Sequence, residues 1–200
     1  MSLRLSTGFC HGMRLEDPSQ ATRPTAARVR SAAWNALQDD LAGAAVLDVF
    51  SGSGAVGIEA LSRGALSVTF VEKDRVALKA LQQNLNEVKR RAANQGIGIG
   101  IVCIPQVAKQ ALSKLGNAAF DIVWMDPPFP ALQDLLPPLR ADLARVSREQ
   151  AWLVVESDEP ALTFVAHLFA AEGEAWELVK QKVYGKIGLS FFRKKPLDPA

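Results

Sequence analysis

Cysteine and histidine are scarce in this 200-residue sequence, with two of each. Cys10 and Cys103 stand far apart without Cys-x-x-Cys spacing, which leaves neither a disulfide framework nor a zinc site. With only His11 and His167, a histidine-built metal centre or triad is also excluded, and no metal is expected. There is no run of about 18 uninterrupted apolar residues, so no membrane-spanning helix is expected. The first residues carry Arg4, His11, Arg14, Glu16 and Asp17 where a secretion signal would have an apolar stretch, and the chain reads as cytoplasmic. Internal repeats and low-complexity segments are lacking. The net charge of +2 is too small to demand an anionic partner by itself. The cations are nonetheless uneven: Arg4, Arg14, Arg23, Arg28 and Arg30 crowd the start, and Lys180, Lys182, Lys186, Arg193, Lys194 and Lys195 crowd the end.

The composition, 48% hydrophobic, suits one α/β domain with a full core and a small appendage. From Ala44 onward, short apolar or β-branched runs alternate with helical patterns, the mark of a parallel sheet covered by helices. Strands are expected at 45–50, 67–72, 97–104, 120–125 and 152–156. Helices are expected at 55–63, from the capping Asp74 through Val88, at 107–115, at 132–146 with Pro137 and Pro138 disturbing its start, and at 159–171. The tail, 175–184 and 188–194 around Gly185, reads as a hairpin, so an antiparallel edge strand is expected. Residues 1 to about 40 break the pattern: a small hairpin (3–6 and 12–15) and a helix (25–37) form an extension, and 41–200 the main domain.

The stretch Asp48-Val49-Phe50-Ser51-Gly52-Ser53-Gly54-Ala55-Val56-Gly57 puts glycines at a strand-to-helix turn, where a backbone without Cβ can approach a ligand. Glu72 ends the next strand, where an acceptor-only carboxylate can take both hydroxyls of a ribose. Together these features point to an adenosine-type cofactor. Asp48 would repel a pyrophosphate but suits the cationic end of S-adenosylmethionine.

Asp126-Pro127-Pro128-Phe129 follows an apolar strand and projects at the carboxyl edge of the sheet. Prolines stiffen the turn, so the Asp126 carboxylate and the Pro127 carbonyl can converge as two acceptors. An aromatic amino group is a poor nucleophile; two acceptors gripping its hydrogens orient it and stabilise the charge that builds as it attacks a methyl. Phe129 offers a face on which a base could stack. Guanine presents N1-H beside N2-H2, two donors that match a carboxylate, and is favoured over adenine and cytosine.

On these residues the chain resembles the RsmD family of bacterial 16S ribosomal RNA guanine-N2 methyltransferases along nearly its whole length. The resemblance rests on Thr22-Arg23-Pro24-Thr25, Arg28-Val29-Arg30, Trp34 to Leu37, Asp48 to Ala65, Val71 to Asp74, Asp126 to Phe129, Val154 to Glu156, and Tyr184-Gly185. It implies a Rossmann-like class I methyltransferase with a mostly parallel seven-stranded sheet and an antiparallel C-terminal strand. It also implies transfer of a methyl group from S-adenosylmethionine to guanine N2 in small-subunit ribosomal RNA, in an assembling or assembled particle, by a monomer. Asp48, Phe50, Gly52, Gly54, Glu72, Lys73 and Gln106 would hold the cofactor, and Asp126, Pro127 and Phe129 the base. Arg23, Thr25, Arg28 and Arg30 would contact RNA. Three positions depart from the family's usual pattern: Ser31 for an acid, His11 for an arginine, and Gln106 for Asp or Asn beside the adenine.

Three other readings share some of these features. A DNA amino-methyltransferase would carry both motifs but usually adds a recognition region. An NAD-dependent oxidoreductase leaves Asp48 and the proline turn without a role, and a non-catalytic RNA-binding assembly factor would keep only the pocket. Trp34, Trp124, Trp152 and Trp176 read as core. No chemistry is assigned to His167, and Glu156 is equally suited to a structural hydrogen bond or a site role.

Overall fold

A computed structural model describes residues 3–17 and 24–196 and, of residues 3 and 24–26, the backbone alone. Strands β1 (Leu3–Arg4) and β2 (Arg14–Leu15) form a small antiparallel pair, followed by helices α1 (Pro24–Ala36) and α2 (Gln38–Leu41). The main sheet then begins with β3 (Ala45–Val49), α3 (Ala55–Ser62), β4 (Ser67–Val71), α4 (Arg75–Asn94), β5 (Gly100–Ile104) and α5 (Ala108–Lys114). It continues through β6 (Phe120–Met125), α6 (Leu132–Leu135), α7 (Arg140–Val146), β7 (Ser147–Asp158) and α8 (Leu162–Ala170) to β8 (Trp176–Tyr184) and β9 (Ile187–Lys194). Strand order is β5-β4-β3-β6-β7-β9-β8, and every pairing from β5 to β7 is parallel.

The termini of these elements follow the expected local chemistry. Asp74 caps α4, its Oδ1 accepting from the N–H groups of Val76 and Ala77 at 3.0 and 2.8 Å. Gly64 follows α3 at φ +112°, a conformation that costs glycine nothing. The two adjoining prolines split the expected 132–146 helix into α6, a 3-10 turn at Pro137–Leu139, and α7. β5 begins at Gly100 rather than residue 97, whereas β7 begins at Ser147, well before residue 152. The added residues of β7 include exposed Arg148, Glu149 and Gln150, which carry no apolar signal.

The antiparallel strand is β9, as the tail hairpin implies, but it is not the edge. It lies between β7 and β8, antiparallel to both, and β8 closes the sheet. Side-chain character accounts for this order: Leu189, Ser190, Phe191 and Phe192 of β9 are buried on both faces of the strand, whereas much of β8 is exposed.

Helices on either side of the sheet enclose two cores. One joins Val46, Ile58, Phe70, Leu81, Trp124 and Val154 to α1 and the N-terminal hairpin through Leu5, Cys10, Met13, Val29 and Trp34. The other joins Leu47, Val123, Leu153 and Phe192 to α5, α7 and α8. The extension is therefore packed into the first core. Trp34 and Trp124 lie with ring centroids 5.1 Å apart, and Trp176 is buried in the second core. Trp152 is only partly buried: its Nε1 donates to Asp40 and Arg193 lies over its ring.

Candidate active site

The chain order reverses between β3 and β6, and at such a switch point loops on either side of the carboxyl edge diverge to leave a crevice. A cleft of about 570 Å³ opens there, lined by Phe50, Glu72, Lys73, Gln106, Asp126 and Phe129 among others. Its apolar walls include Val71, Ala108, Leu135 and Leu139. Residues after β3, β4, β5 and β6, distant in sequence, are thus brought together.

The glycine loop is held from both ends. Asp48 is fully buried at the end of β3, and its Oδ2 accepts the Gly57 N–H at 2.9 Å. At the other end the Gly52 N–H donates to Glu72 Oε2 at 2.8 Å, while Glu72 Oε1 accepts from the N–H groups of Lys73 and Asp74 at 2.7 and 2.8 Å. Gly57 has to be glycine for packing, since a Cβ there would stand 2.5 Å from the Phe70 ring and 2.7 Å from Val68. Gly52, at φ +54°, faces open space instead. Phe50 adopts φ +62°, a left-handed conformation unusual for a bulky residue, and it lines the cleft.

Acids cluster beneath this loop. Burial pushes the Asp48 carboxyl up to about 7, with the charges of Asp126 and Glu72 adding to the rise and the Gly57 N–H opposing it. Its Oδ1 is buried with no hydrogen-bond partner among the described residues. Because Met125 pairs with Val155, Asp126, just after β6, and Glu156, still within β7, follow side by side in register. Burial raises the affinity of Asp126 for its proton, and the Arg30 charge opposes that rise. Glu156 is raised by burial and then by Asp126, again against Arg30. Glu156 therefore belongs electrostatically to the site, although it makes no hydrogen bond among the described residues.

The expected RNA contacts fare unequally. Arg28 is exposed on α1. Arg30 is 6% exposed and turned inward, its Nε donating to Glu59 Oε2, and Arg63 grips the other oxygen of Glu59. A guanidinium so buried balances the acids rather than reaching a phosphate on the surface. Arg23 and the side chain of Thr25 lie outside the described residues. Ser31 accepts from Arg63 at 2.7 Å, and His11 is exposed. Gln106 lines the cleft, its Oε1 3.2 Å from Lys114 Nζ. The described residues contain no cluster of acids, cysteines and histidines that could hold a metal.

One polar contact escapes the sequence reading. Asn84, buried on α4, donates to the carbonyls of Glu16 and Ser53, each at 2.9 Å, tying the N-terminal extension to the glycine loop. The signal available was an amide in the apolar stripe of Leu81, Leu85 and Val88; its partners could not be read.

A sheet with its reversed strand next to last, and a glycine loop tied to an acid at the switch point, is the Rossmann-like fold of class I S-adenosylmethionine-dependent methyltransferases. The family model described as Conserved hypothetical protein 95 matches residues 3–193, and the chain belongs to that family, the RsmD family. It is 30% identical over 194 residues to the Ribosomal RNA small subunit methyltransferase D of Escherichia coli strain K12, covering 96% of this chain and 90% of that one. The protein of the same name from Haemophilus influenzae is 29% identical over 201 residues, covering 96% and 93%. Among solved structures, yhhF of Escherichia coli superposes with a TM-score of 0.72 at 28% identity, covering 98% of this chain and all of that one (100%).

Proposed function

We propose that the protein transfers a methyl group from S-adenosylmethionine to the exocyclic N2 of a guanine in 16S ribosomal RNA. The observation that carries this reading is that Asp126 and Phe129 of the proline turn line the same cleft as Phe50, Glu72, Lys73 and Gln106. The names of the Escherichia coli and Haemophilus influenzae relatives support small-subunit ribosomal RNA as the substrate class.

The residues fit the cofactor. A Cβ-free Gly52 faces open space, and Glu72, whose Oε1 already accepts two backbone N–H groups and whose Oε2 accepts one, keeps an acceptor site on Oε2 for a ribose hydroxyl. The buried Asp48, with its unpartnered Oδ1, supplies negative potential that favours a cationic ligand over an anionic one. Phe50, Gln106 and Ala108 offer surface for a flat ring, with Lys73 beside them, whereas the missing Cβ of Gly54 makes room for Leu81, Ile58 and Phe70, which leaves only its backbone to serve a cofactor. When bound, the cofactor supplies a methyl group made electrophilic by a sulfonium.

The chain's own residues do the rest. Asp126, as carboxylate, and the Pro127 carbonyl accept hydrogens from the guanine amino group, aligning its lone pair and offsetting the positive charge that develops on nitrogen. Phe129 stacks on the base, an interaction of about 1–3 kcal/mol. The stiff Asp-Pro-Pro turn limits reorganisation during the reaction. Arg30 counters the mutual repulsion of the acids and so favours ionised Asp126. Arg28, exposed on α1, together with Arg23 and Thr25, which precede it in sequence, would contact the RNA backbone, the protein acting as a monomer in an assembling or assembled small subunit.

The test is incubation with labelled cofactor and, separately, 16S ribosomal RNA, small ribosomal subunits and duplex DNA, followed by mass spectrometry of nucleosides. The expected product is N2-methylguanosine in the ribosomal RNA. Label in duplex DNA alone would replace this reading with a DNA amino-methyltransferase.

A further inference from the structure

Some cations around the main sheet are held in ion pairs and others have no acid paired with them among the described residues. At the amino-terminal edge of the sheet Arg148 pairs with Asp121 at 2.7 Å and Arg193 with Asp40 at 3.2 Å. On the flanking helix α7, Arg140 and Arg145 pair with Glu174 and Asp142. At the carboxyl edge, which carries the cleft, Lys109 pairs with Asp142 at 2.7 Å, but four other cations do not. Lys73 and Arg75 after β4, and Lys182 and Lys186 of the tail hairpin, have no ion-pair partner among the described residues, and all four are exposed.

The hairpin reaches that edge because of the strand order. β8 is antiparallel to β9, which is antiparallel to β7, so β8 runs parallel to β7 and its end lies beside the end of β7. The two-residue turn Gly185-Lys186 is fixed there: Tyr184 pairs with Ile187, Ile187 with Asp158, and the Glu159 N–H donates to the Lys186 carbonyl at 3.2 Å. Glu156, the electrostatic neighbour of Asp126, lies two residues back along β7 from Asp158. Lys180 belongs to the same group. Its ammonium lies 4.7 Å from the Phe191 ring centre, and its pKa is lowered by burial and then by Lys182, the mark of cations crowded without a counter-charge. The nearby acids Asp158 and Glu159 make no ion pair with these lysines among the described residues.

We propose that the tip of the β8–β9 hairpin, Lys182 and Lys186 with Lys180 behind them, is an RNA-backbone contact that holds the substrate on the β7 side of the cleft, across the sheet from Lys73 and Arg75. The inference rests on the RNA methyltransferase reading above. Uncompensated ammonium groups on a rigid turn neutralise phosphates, releasing counterions without reading sequence. The hairpin thus fixes position while the proline turn selects the base.

The test compares the full chain with the double variant Lys182→Ala/Lys186→Ala, measuring affinity for protein-free 16S ribosomal RNA and for small ribosomal subunits from about 50 to 300 mM salt. Wild-type protein is expected to bind with a steep salt dependence. In the double variant affinity should fall several-fold and the slope of log K against log salt should flatten by roughly 1.4 to 1.8, about 0.7 to 0.9 for each phosphate that is no longer neutralised. Lys182→Arg/Lys186→Arg should restore both. The variant Lys89→Ala/Lys195→Ala removes the same charge far from the cleft and should change neither. An unmoved melting temperature and unmoved cofactor affinity in the double variant exclude a folding defect. A wild-type slope in the double variant, with RNA binding intact, would overturn the hairpin's role and leave the proposed activity standing. Wild-type protein that binds neither protein-free 16S ribosomal RNA nor small ribosomal subunits would overturn the activity and the hairpin's role together.

Discussion

Asn84 holds Glu16 by a reciprocal pair of hydrogen bonds: its Oδ1 accepts the Glu16 N–H at 2.8 Å, and its Nδ2 donates to the Glu16 carbonyl at 2.9 Å. Because the same Nδ2 also reaches the Ser53 carbonyl, one buried amide fixes the N-terminal extension at Glu16 against the loop expected to cradle the cofactor. Asn84→Ala should lower unfolding free energy by about 1–3 kcal/mol, since the groups it leaves are poorly placed for water. Asn84→Asp should cost more than that, because a carboxylate cannot donate to two carbonyls. Urea denaturation of the three proteins checks the order.

Asp126→Ala should retain cofactor binding, measured by calorimetry, and reduce methyl transfer by two or more orders of magnitude, an effect of the size seen when one oriented acceptor or donor is removed from a reacting centre. Equal rates in variant and wild type would remove Asp126 from the mechanism.

Glu59 is 1% exposed and carries both Arg30 and Arg63. Glu59→Ala strands two guanidinium groups in the interior and should destabilise by about 3–5 kcal/mol. It should also alter the pH profile of methyl transfer, because Arg30, freed from Glu59, no longer has a fixed place beside Asp126 and Glu156. Thermal melting and a rate profile from about pH 5.5 to 9 read the two effects separately.

Stability should fall as pH rises towards neutrality. Asp48 has a folded pKa of about 7 against an ordinary value of 3.8. With the folded pKa raised, its contribution is fully present below about pH 4 and is lost as pH rises through about 7. Asp126 and Glu156 are shifted in the same direction. Glu87 opposes this trend only at acid pH, since Arg90 and Arg91 hold its pKa near 2. Urea midpoints should therefore be higher at about pH 5 than at about pH 8, and Asp48→Asn should narrow the difference. The same acids predict that binding of a cationic cofactor expels protons near neutral pH, visible as a buffer-dependent calorimetric heat.

Gly57→Ala should destabilise by about 1–3 kcal/mol, because its methyl would press on the Phe70 ring and Val68, which are packed in the core. Gly96→Ala, with open space around it but φ +66°, should cost only about 1 kcal/mol of backbone strain. Denaturation of both variants gives the comparison.

Sequence periodicity located every strand of the main sheet because each contains a short apolar run, and it located the glycine loop and proline turn because their chemistry is local. It did not give the length of β7, whose first residues are polar, or the interior position of β9, which depends on how two-sided its burial is relative to β8. Arg30 reads as one more basic residue of a positive segment; only the fold brings it to Glu59, 29 positions away. Glu59 and Asn84 are polar residues on apolar helical stripes, which marks them as paired, but the partners of each come from elements far along the chain. The acids of the site were legible one at a time, and their mutual repulsion was not.

The placement of β9 has a consequence for biosynthesis. As long as the growing chain stops short of Ile187, β7 has a bare flank and β8 lacks its strand partner in the sheet, so a nascent chain keeps an adhesive ribbon until Ile187–Lys194 leaves the exit tunnel. Completion of the sheet is thereby deferred until β9 is free to pair, and a product lacking that strand would be a substrate for chaperones or proteases rather than a slower enzyme.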